Sequence, residues 1–253
     1  MKKYILIPAR LESSRLPRKA LKKILDLPVI IHVALRAKLC KNVEKVIVCT
    51  DSPEICWECE KYNIEVCVTK SEHKNGTERI SETVNTLNLG SNDLIVDLQG
   101  DEVFVKPNDI EKVFSEIRKS KYDCIVPYQK LYELNNPNRV KIIESNKKIL
   151  WMTRADSPFF FGKEKLSLKK HLSIIAFKGE LLKKFSKFKQ KNLEKIEKIE
   201  LLRLLENNVA IGTFQMKGSS LAVDTLDDYH KSLRMMSDDP IYKKFIKNTK
   251  RIL

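Results

Sequence analysis

Residues 4–19 read Tyr4-Ile5-Leu6-Ile7-Pro8-Ala9-Arg10-Leu11-Glu12-Ser13-Ser14-Arg15-Leu16-Pro17-Arg18-Lys19. A short apolar run closes at Pro8, and four cations and two hydroxyls follow at once. An apolar run this short, without alternation, is the pattern of a strand buried on both faces. Open α/β sheets bind their ligands beyond the carboxyl ends of the strands, where this basic loop lies. Working outward, 45–51 and 65–69 read as strands, and 94–98 as a fourth. Helical spacing runs over 27–39, 53–62, 78–87 and 107–120, with Pro53 in a first turn. Strand and helix thus alternate for 120 residues, which predicts an α/β fold with a parallel sheet covered on both faces. The second half is less regular. Strands are expected at 123–129, 139–144, 149–153, 172–177 and 209–215, and helices at 193–206 and 227–236. No repeat and no Gly/Ser/Pro linker interrupts the chain, so 1–253 reads as one domain with inserted strand pairs.

Composition narrows the function classes. With 253 residues, 42% of them apolar and 32% charged, the chain can bury a core. No apolar run reaches the roughly 18 residues of a membrane span. The run at 4–9 is too short for a signal peptide, and Arg10 ends it, so the protein reads as cytoplasmic. The six cysteines then read as small apolar residues rather than disulfides. Cys56 and Cys59 have the spacing of a redox or zinc half-site, but no second pair accompanies them. His32 and His73 read as structural or exposed. A net charge of +15 raises nucleic acid as a partner. Arg supplies about 11 of the 48 cations, aromatics are only 8%, and no zinc-finger, KH or RRM pattern occurs. The lysines gather at 163–198 and 243–250 among apolar residues at helical spacing, the pattern of solvated helix faces. The reading is therefore no nucleic acid and no membrane.

Three further segments carry chemistry. No G-x-x-x-x-G-K-[ST] and no G-x-G-x-x-G is present, which argues against a P-loop or a dinucleotide site. Cations after the first strand are instead suited to clamping a polyphosphate and steadying a leaving pyrophosphate. Gln99-Gly100-Asp101-Glu102 ends the fourth strand, and Asp224 follows another apolar stretch. Mg²⁺ commonly takes one or two carboxylates plus phosphate oxygens and water, so Asp101 and Asp224 would suffice together. Asn75-Gly76-Thr77-Glu78-Arg79 opens a helix, whose first N–H groups are free for an acceptor.

In chain order, Arg10-x-x-Ser13-x-Arg15-Leu16-Pro17-x-Lys19, Gly76-Thr77-Glu78-Arg79, Gln99-Gly100-Asp101-Glu102, Asn136-Pro137-Asn138-Arg139-Val140-Lys141 and Val223-Asp224-Thr225 resemble the CMP-Kdo synthetases. These are the 3-deoxy-manno-octulosonate cytidylyltransferases, and the resemblance spans residues 3–232. It implies a Rossmann-like nucleotidyltransferase fold, similar to glycosyltransferase A, with a mostly parallel mixed sheet. It also implies a nucleotide-binding half, 1–122, and a sugar-binding and dimerisation half, 123–240. Members join CTP to Kdo, a 3-deoxy-ulosonic acid, with release of pyrophosphate, for lipopolysaccharide synthesis. Carried over residue by residue, Arg10, Lys19, Asp101 and Asp224 would be catalytic, with Mg²⁺ on Asp101 and Asp224. Pro8, Ala9, Arg10, Ser13, Arg15, Lys19, Gly76, Thr77 and Arg79 would bind the nucleotide. Gln99, Arg154, His171 and Glu200 would bind the sugar. A homodimer is also implied.

Several positions depart from the family pattern. Arg18 stands for a Gly, Asn75 for a Ser and Val103 for a Pro. On the sugar side Ile175 stands for a Tyr and Leu201 for a Gln, and each removes a polar group. Loss of such partners changes selectivity strongly. Lys170 before His171 resembles the variants that use 8-amino-Kdo. The alternatives are therefore transfer to 8-amino-Kdo or another 3-deoxy-ulosonic acid, or CTP binding without turnover.

Overall fold

The computed structural model describes residues 1–13, 15–162, 167–217 and 221–249. Ser14, one of the loop's two hydroxyls, lies outside them, as do parts of the two lysine-rich stretches. The first half contains β1 (Lys3–Pro8), the two-residue strands β2 (Lys23–Ile24) and β3 (Leu27–Pro28), α1 (Val29–Ala37), β4 (Lys45–Thr50), α2 (Pro53–Lys61), β5 (Glu65–Val68), α3 (Gly76–Thr86), β6 (Leu94–Leu98) and α4 (Pro107–Lys119). The second half adds β7 (Cys124–Leu131), β8 (Lys141–Ser145), β9 (Lys148–Thr153), β10 (Leu168–His171), β11 (Ile174–Lys178), α5 (Gly179–Phe185), α6 (Asn192–Glu197), α7 (Leu202–Glu206), β12 (Gly212–Gln215), α8 (Leu226–Met236) and α9 (Pro240–Thr249).

One sheet takes strands from both halves, in the order β10-β8-β9-β12-β7-β11-β6-β1-β4-β5. β1 lies between β4 and β6 and is parallel to both, with Ile5 opposite Val46 on one side and Val96 on the other. β5 extends this parallel set beyond β4. β11 turns against β6 and β7, and β12 runs with β7. The edge β8, β9 and β10 is joined by antiparallel ladders. Followed through the ladders, β1, β4, β5, β6, β7, β8 and β12 all point one way. The sheet is mixed and mostly parallel in strand direction.

The period-2 alternation of strands that are buried on both faces builds two cores. Ile5, Ile7, Val96 and Leu98 face α1 and α4, packing with Ile30, Val33, Ile110 and Phe114. Leu6, Ile47 and Ile95 face α3 and α5, packing with Ile80, Val84, Leu182 and Phe185. Local signals start the helices. Ser52 Oγ accepts from Ile55 N ahead of Pro53, Asn75 Oδ1 accepts from Glu78 N, and Thr225 and Asp228 form a capping box. Cys49, Cys59, Cys67 and Cys124 are buried in the apolar interior. Among the described residues no helix is long and apolar enough to cross a membrane.

The structure corrects several expected boundaries. The single helix expected over 193–206 is two helices, α6 and α7, because Lys198 adopts a left-handed conformation at φ 51°. Arg154 collects the carbonyls of Glu197 and Lys198 there, holding the chain open where periodicity alone continues the helix. The helix expected from residue 27 starts at Val29, since Leu27 and Pro28 pair with Ile24 and Lys23. β10, α5 and α9 were not expected from the pattern.

Gly179 joins β11 to α5. Its N–H donates to Asp93 O, and a Cβ there would lie 2.2 Å from Gly90 O. Because that neighbour is backbone, Gly179→Ala should cost about 3 kcal/mol of unfolding free energy, measurable by urea titration.

Candidate active site

The carboxyl ends of β1 and β6 open together at one edge of the sheet. After β1 the chain makes one more sheet-like bond, from Ala9 N to Cys49 O, and then leaves it. A short 3-10 turn, Lys19–Leu21, brings Lys19 back over the strand ends. Its Nζ donates to Asp101 Oδ2 at 2.6 Å and to Asp224 Oδ1 at 3.0 Å. The two acids come from segments far apart in sequence, tied by the bond from Val223 N to Asp101 O. Arg15 Nη2 reaches the same Asp224 oxygen at 3.2 Å. Burial works against the charge on Lys19, but Asp101 and Asp224 outweigh it and raise its pKa. Burial likewise opposes ionisation of Asp224, yet Lys19 and Arg15 hold its carboxyl below the usual range.

Two adjoining cavities meet at this cluster. The smaller, about 240 Å³, is lined by Pro8, Ala9, Arg10, Ser13, Arg15, Lys19, Gly76 and Arg79 among the residues expected to bind nucleotide. The larger, about 570 Å³, is lined by Gln99, Arg154, His171 and Glu200, the residues expected at the sugar. Arg15, Asn75, Gln99, Asp101 and Asp224 line both. Arg10 is exposed at the mouth of the smaller cavity, with no side-chain acceptor among the described residues. Arg79 is buried on its floor, donating to Thr69 Oγ1 at 2.5 Å and pairing with Asp51 at 3.1 Å. It cross-links the ends of β4 and β5. Thr77 lines neither cavity, and its backbone N–H donates to Glu200 Oε2 at 3.1 Å.

Part of the wall of the larger cavity is framed by residues whose donors are already engaged. Arg154 Nε, Nη1 and Nη2 donate to the carbonyls of Glu197, Pro137 and Lys198. Lys141, wholly buried, donates to the carbonyls of Asn136 and Arg154 and pairs with Asp156 at 3.0 Å. Together they lock three loops into one wall. Arg203 does the same beneath the cavity, bridging Glu194 and Glu78. His171 Nε2 is buried without a hydrogen-bond partner among the described residues. Burial, with Lys170 and Arg154 nearby, pushes its imidazole down to about 4, so the ring is neutral at neutral pH. Burial and Arg139 lower the pKa of Lys170. Beneath Gln99, burial and the charge of Glu200 push the Asp97 carboxyl well above its usual range. Sequence reading assigned no role to Asp97, Lys141 or Arg203. For Asp97, an acid inside an apolar strand was the available signal.

The donor set around Asp101 and Asp224 fits a divalent cation. Both carboxylates already converge on one ammonium, so a single cation can satisfy them. Among the described residues no third His, Cys, Asp or Glu joins them, which leaves further positions for phosphate oxygens and water. The departures from the family pattern also find places. Arg18 takes φ 55°, the left-handed region that favours glycine, and its guanidinium turns outward to Glu54. Asn75 serves as the cap of α3, and Val103 is buried. Ile175 and Leu201 form an apolar wall of the larger cavity.

Replacing Lys141 by Met would strand two carbonyls and one carboxylate. Lys141→Met should lose about 3 kcal/mol of stability, read by denaturant titration, because removing one buried partner leaves the others uncompensated.

Comparison with known proteins gives a consistent answer. A family model described as Cytidylyltransferase matches residues 4–211. The 3-deoxy-manno-octulosonate cytidylyltransferase of a Nitratiruptor species is 33% identical, over 90% of this chain and 97% of that protein. Its counterpart in Polynucleobacter necessarius subsp. necessarius is 35% identical, over 92% of this chain and 95% of that one. A solved CMP:2-keto-3-deoxy-manno-octonic acid synthetase complexed with CTP superposes with a TM-score of 0.87 at 29% identity, covering 94% of this chain and 99% of that one. A putative glucose-1-phosphate thymidylyltransferase from Bacillus anthracis shares the fold, with a TM-score of 0.68 at 16% identity, over 94% of this chain and 96% of that one. With these matches along nearly its whole length, the chain belongs to the cytidylyltransferase family, in its 3-deoxy-manno-octulosonate branch.

Proposed function

We propose that the protein transfers CMP from CTP to Kdo, giving CMP-Kdo and pyrophosphate for lipopolysaccharide synthesis. The observation that carries this reading is the pair of cavities sharing Arg15, Gln99, Asp101 and Asp224. A nucleotide in one and an acid in the other would meet at the carboxylate pair. Arg10, Arg15 and Lys19 bind the triphosphate and neutralise charge on the departing pyrophosphate. Asp101 and Asp224 hold Mg²⁺, which supplies Lewis-acid polarisation of a phosphoryl oxygen when bound. Gly76, at the start of α3, lines the smaller cavity and lets the backbone approach the nucleotide closely. Arg139 and Lys170 supply positive charge for the sugar carboxylate. The anomeric hydroxyl oxygen bonds to the α-phosphorus as the bond to pyrophosphate breaks, and the hydroxyl proton passes to solvent. Positioning carries most of this catalysis, so no enzyme nucleophile is required.

The acceptor is the point where this chain departs from the family pattern. Ile175 and Leu201 leave an apolar wall, so 8-amino-Kdo and other 3-deoxy-ulosonic acids are the competing acceptors. A cytoplasmic homodimer completes the reading. Phe159 and Phe161 are 84% and 98% exposed, with Tyr132 and Leu134 also exposed, which supports a surface that a second copy covers.

Pyrophosphate release from CTP with Kdo, 8-amino-Kdo and a sialic acid in turn tests the reaction and the acceptor together. Release with Kdo is expected, and it should stop with a chelator and return with Mg²⁺. CTP binding by calorimetry without release on any acid would favour a non-catalytic CTP binder. Lys19→Met and Asp224→Asn should each lower kcat/KM by about 10²- to 10³-fold.

A further inference from the structure

Gln99 lines both cavities and stands at their junction. Its carboxamide is held from two sides. Nε2 donates to Asp97 Oδ1 at 2.9 Å. On the other side α3 begins at Gly76, where a Cβ would come within 3.1 Å of both Gln99 Nε2 and Pro8 Cγ. The missing side chain gives the amide its place. Asp97 lies two residues earlier on β6, on the same face as Gln99, and is wholly buried. In the sheet it pairs with Ile175, which walls the larger cavity. Its Oδ2 has no hydrogen-bond partner among the described residues. Between Val96 and Leu98 an apolar residue would serve stability better, because burying a carboxyl is costly. The bond to Gln99 is what this carboxyl supplies.

We propose that Asp97 is a positioning residue that takes up the Gln99 amide NH₂ and turns the Gln99 carbonyl oxygen toward the cavities. The junction then offers a fixed acceptor to a hydroxyl or amino donor of the bound substrates. An unprotonated carboxyl oxygen accepts and never donates, so Oδ1 selects the NH₂ end of the amide. This holds for the carboxylate and for the acid with its proton on Oδ2. With an apolar residue at 97 the amide is free to turn, and in one orientation a substrate donor meets an amide donor. The inference rests on the cytidylyl-transfer reading only for which substrates feel the acceptor; the amide orientation belongs to the free protein.

Two readouts keep these apart. In amide NMR, the Gln99 NH₂ pair is assigned by its loss in Gln99→Ala. It should be protected from hydrogen exchange in the wild-type protein and exchange faster in Asp97→Leu. In turnover, Asp97→Leu should raise KM for one substrate about tenfold, with kcat changed less and no fall in melting temperature. The single variant Gln99→Glu would set one carboxyl against another at Asp97. The double variant Asp97→Asn with Gln99→Glu restores a donor below and an oxygen above, and should recover KM relative to Gln99→Glu. An unchanged Gln99 exchange rate in Asp97→Leu, or KM values within about twofold of wild type, overturns the proposal. Should Asp97→Leu fail to fold, a double variant no better than Gln99→Glu overturns it instead. A folded wild-type protein that releases no pyrophosphate with any acid defeats the functional reading and leaves the exchange comparison decisive.

Discussion

The burial of β1 between two parallel neighbours is the constraint on which the site depends. With β4 on one side and β6 on the other, β1 has no free edge and no solvated face. Parallel neighbours end at the same side of the sheet, so the loops after β1 and β6 must emerge together. With the 3-10 turn at Lys19–Leu21, that brings Lys19 to Asp101, across 82 positions of sequence. Asp224 is added by the bond from Val223 to Asp101, not by a ladder strand of its own. The chemistry therefore sits on the rigid middle of the sheet, while the antiparallel edge supplies the wall of the second cavity.

That division explains what was legible in the sequence. In the first half the strands are buried on both faces, so short apolar runs such as 4–8 and 94–98 mark them directly. The helices between them carry their own caps, as at Ser52 and Asn75. The polar clusters after the strands could then be placed by a general rule, and most of the expected residues do line the two cavities. The break at Lys198 was not legible, because it depends on Arg154 reaching across from β9 to carbonyls of another segment. Thr77 was expected at the nucleotide from its place in a motif, whereas its N–H is spent on Glu200.

Buried charges account for the rest. Lys141 looks like an ordinary lysine in a lysine-rich chain, yet none of its side chain is exposed. Arg203 sits at helical spacing among leucines, and its role appears only when Glu78 arrives from α3. Nothing in a sequence distinguishes a lysine that solvates a surface from one that gathers three oxygens inside a loop. The overall +15 misleads for the same reason: the cations that matter are few, and several are neutralised internally.

The ion cluster of Lys19, Arg15, Asp101 and Asp224 has a thermodynamic corollary. The ammonium of Lys19 already stands where a cation satisfies both acids, so the free protein carries its own counterion. Under the proposed function, loading would be an exchange: an incoming metal–phosphate group would bring positive charge to the acids and negative charge to the displaced lysine and arginine. Each partner changes hands and little net charge is gained. Such an exchange makes a lone metal ion or a lone triphosphate a poorer guest than the two together, since either by itself leaves one half of the cluster without a partner.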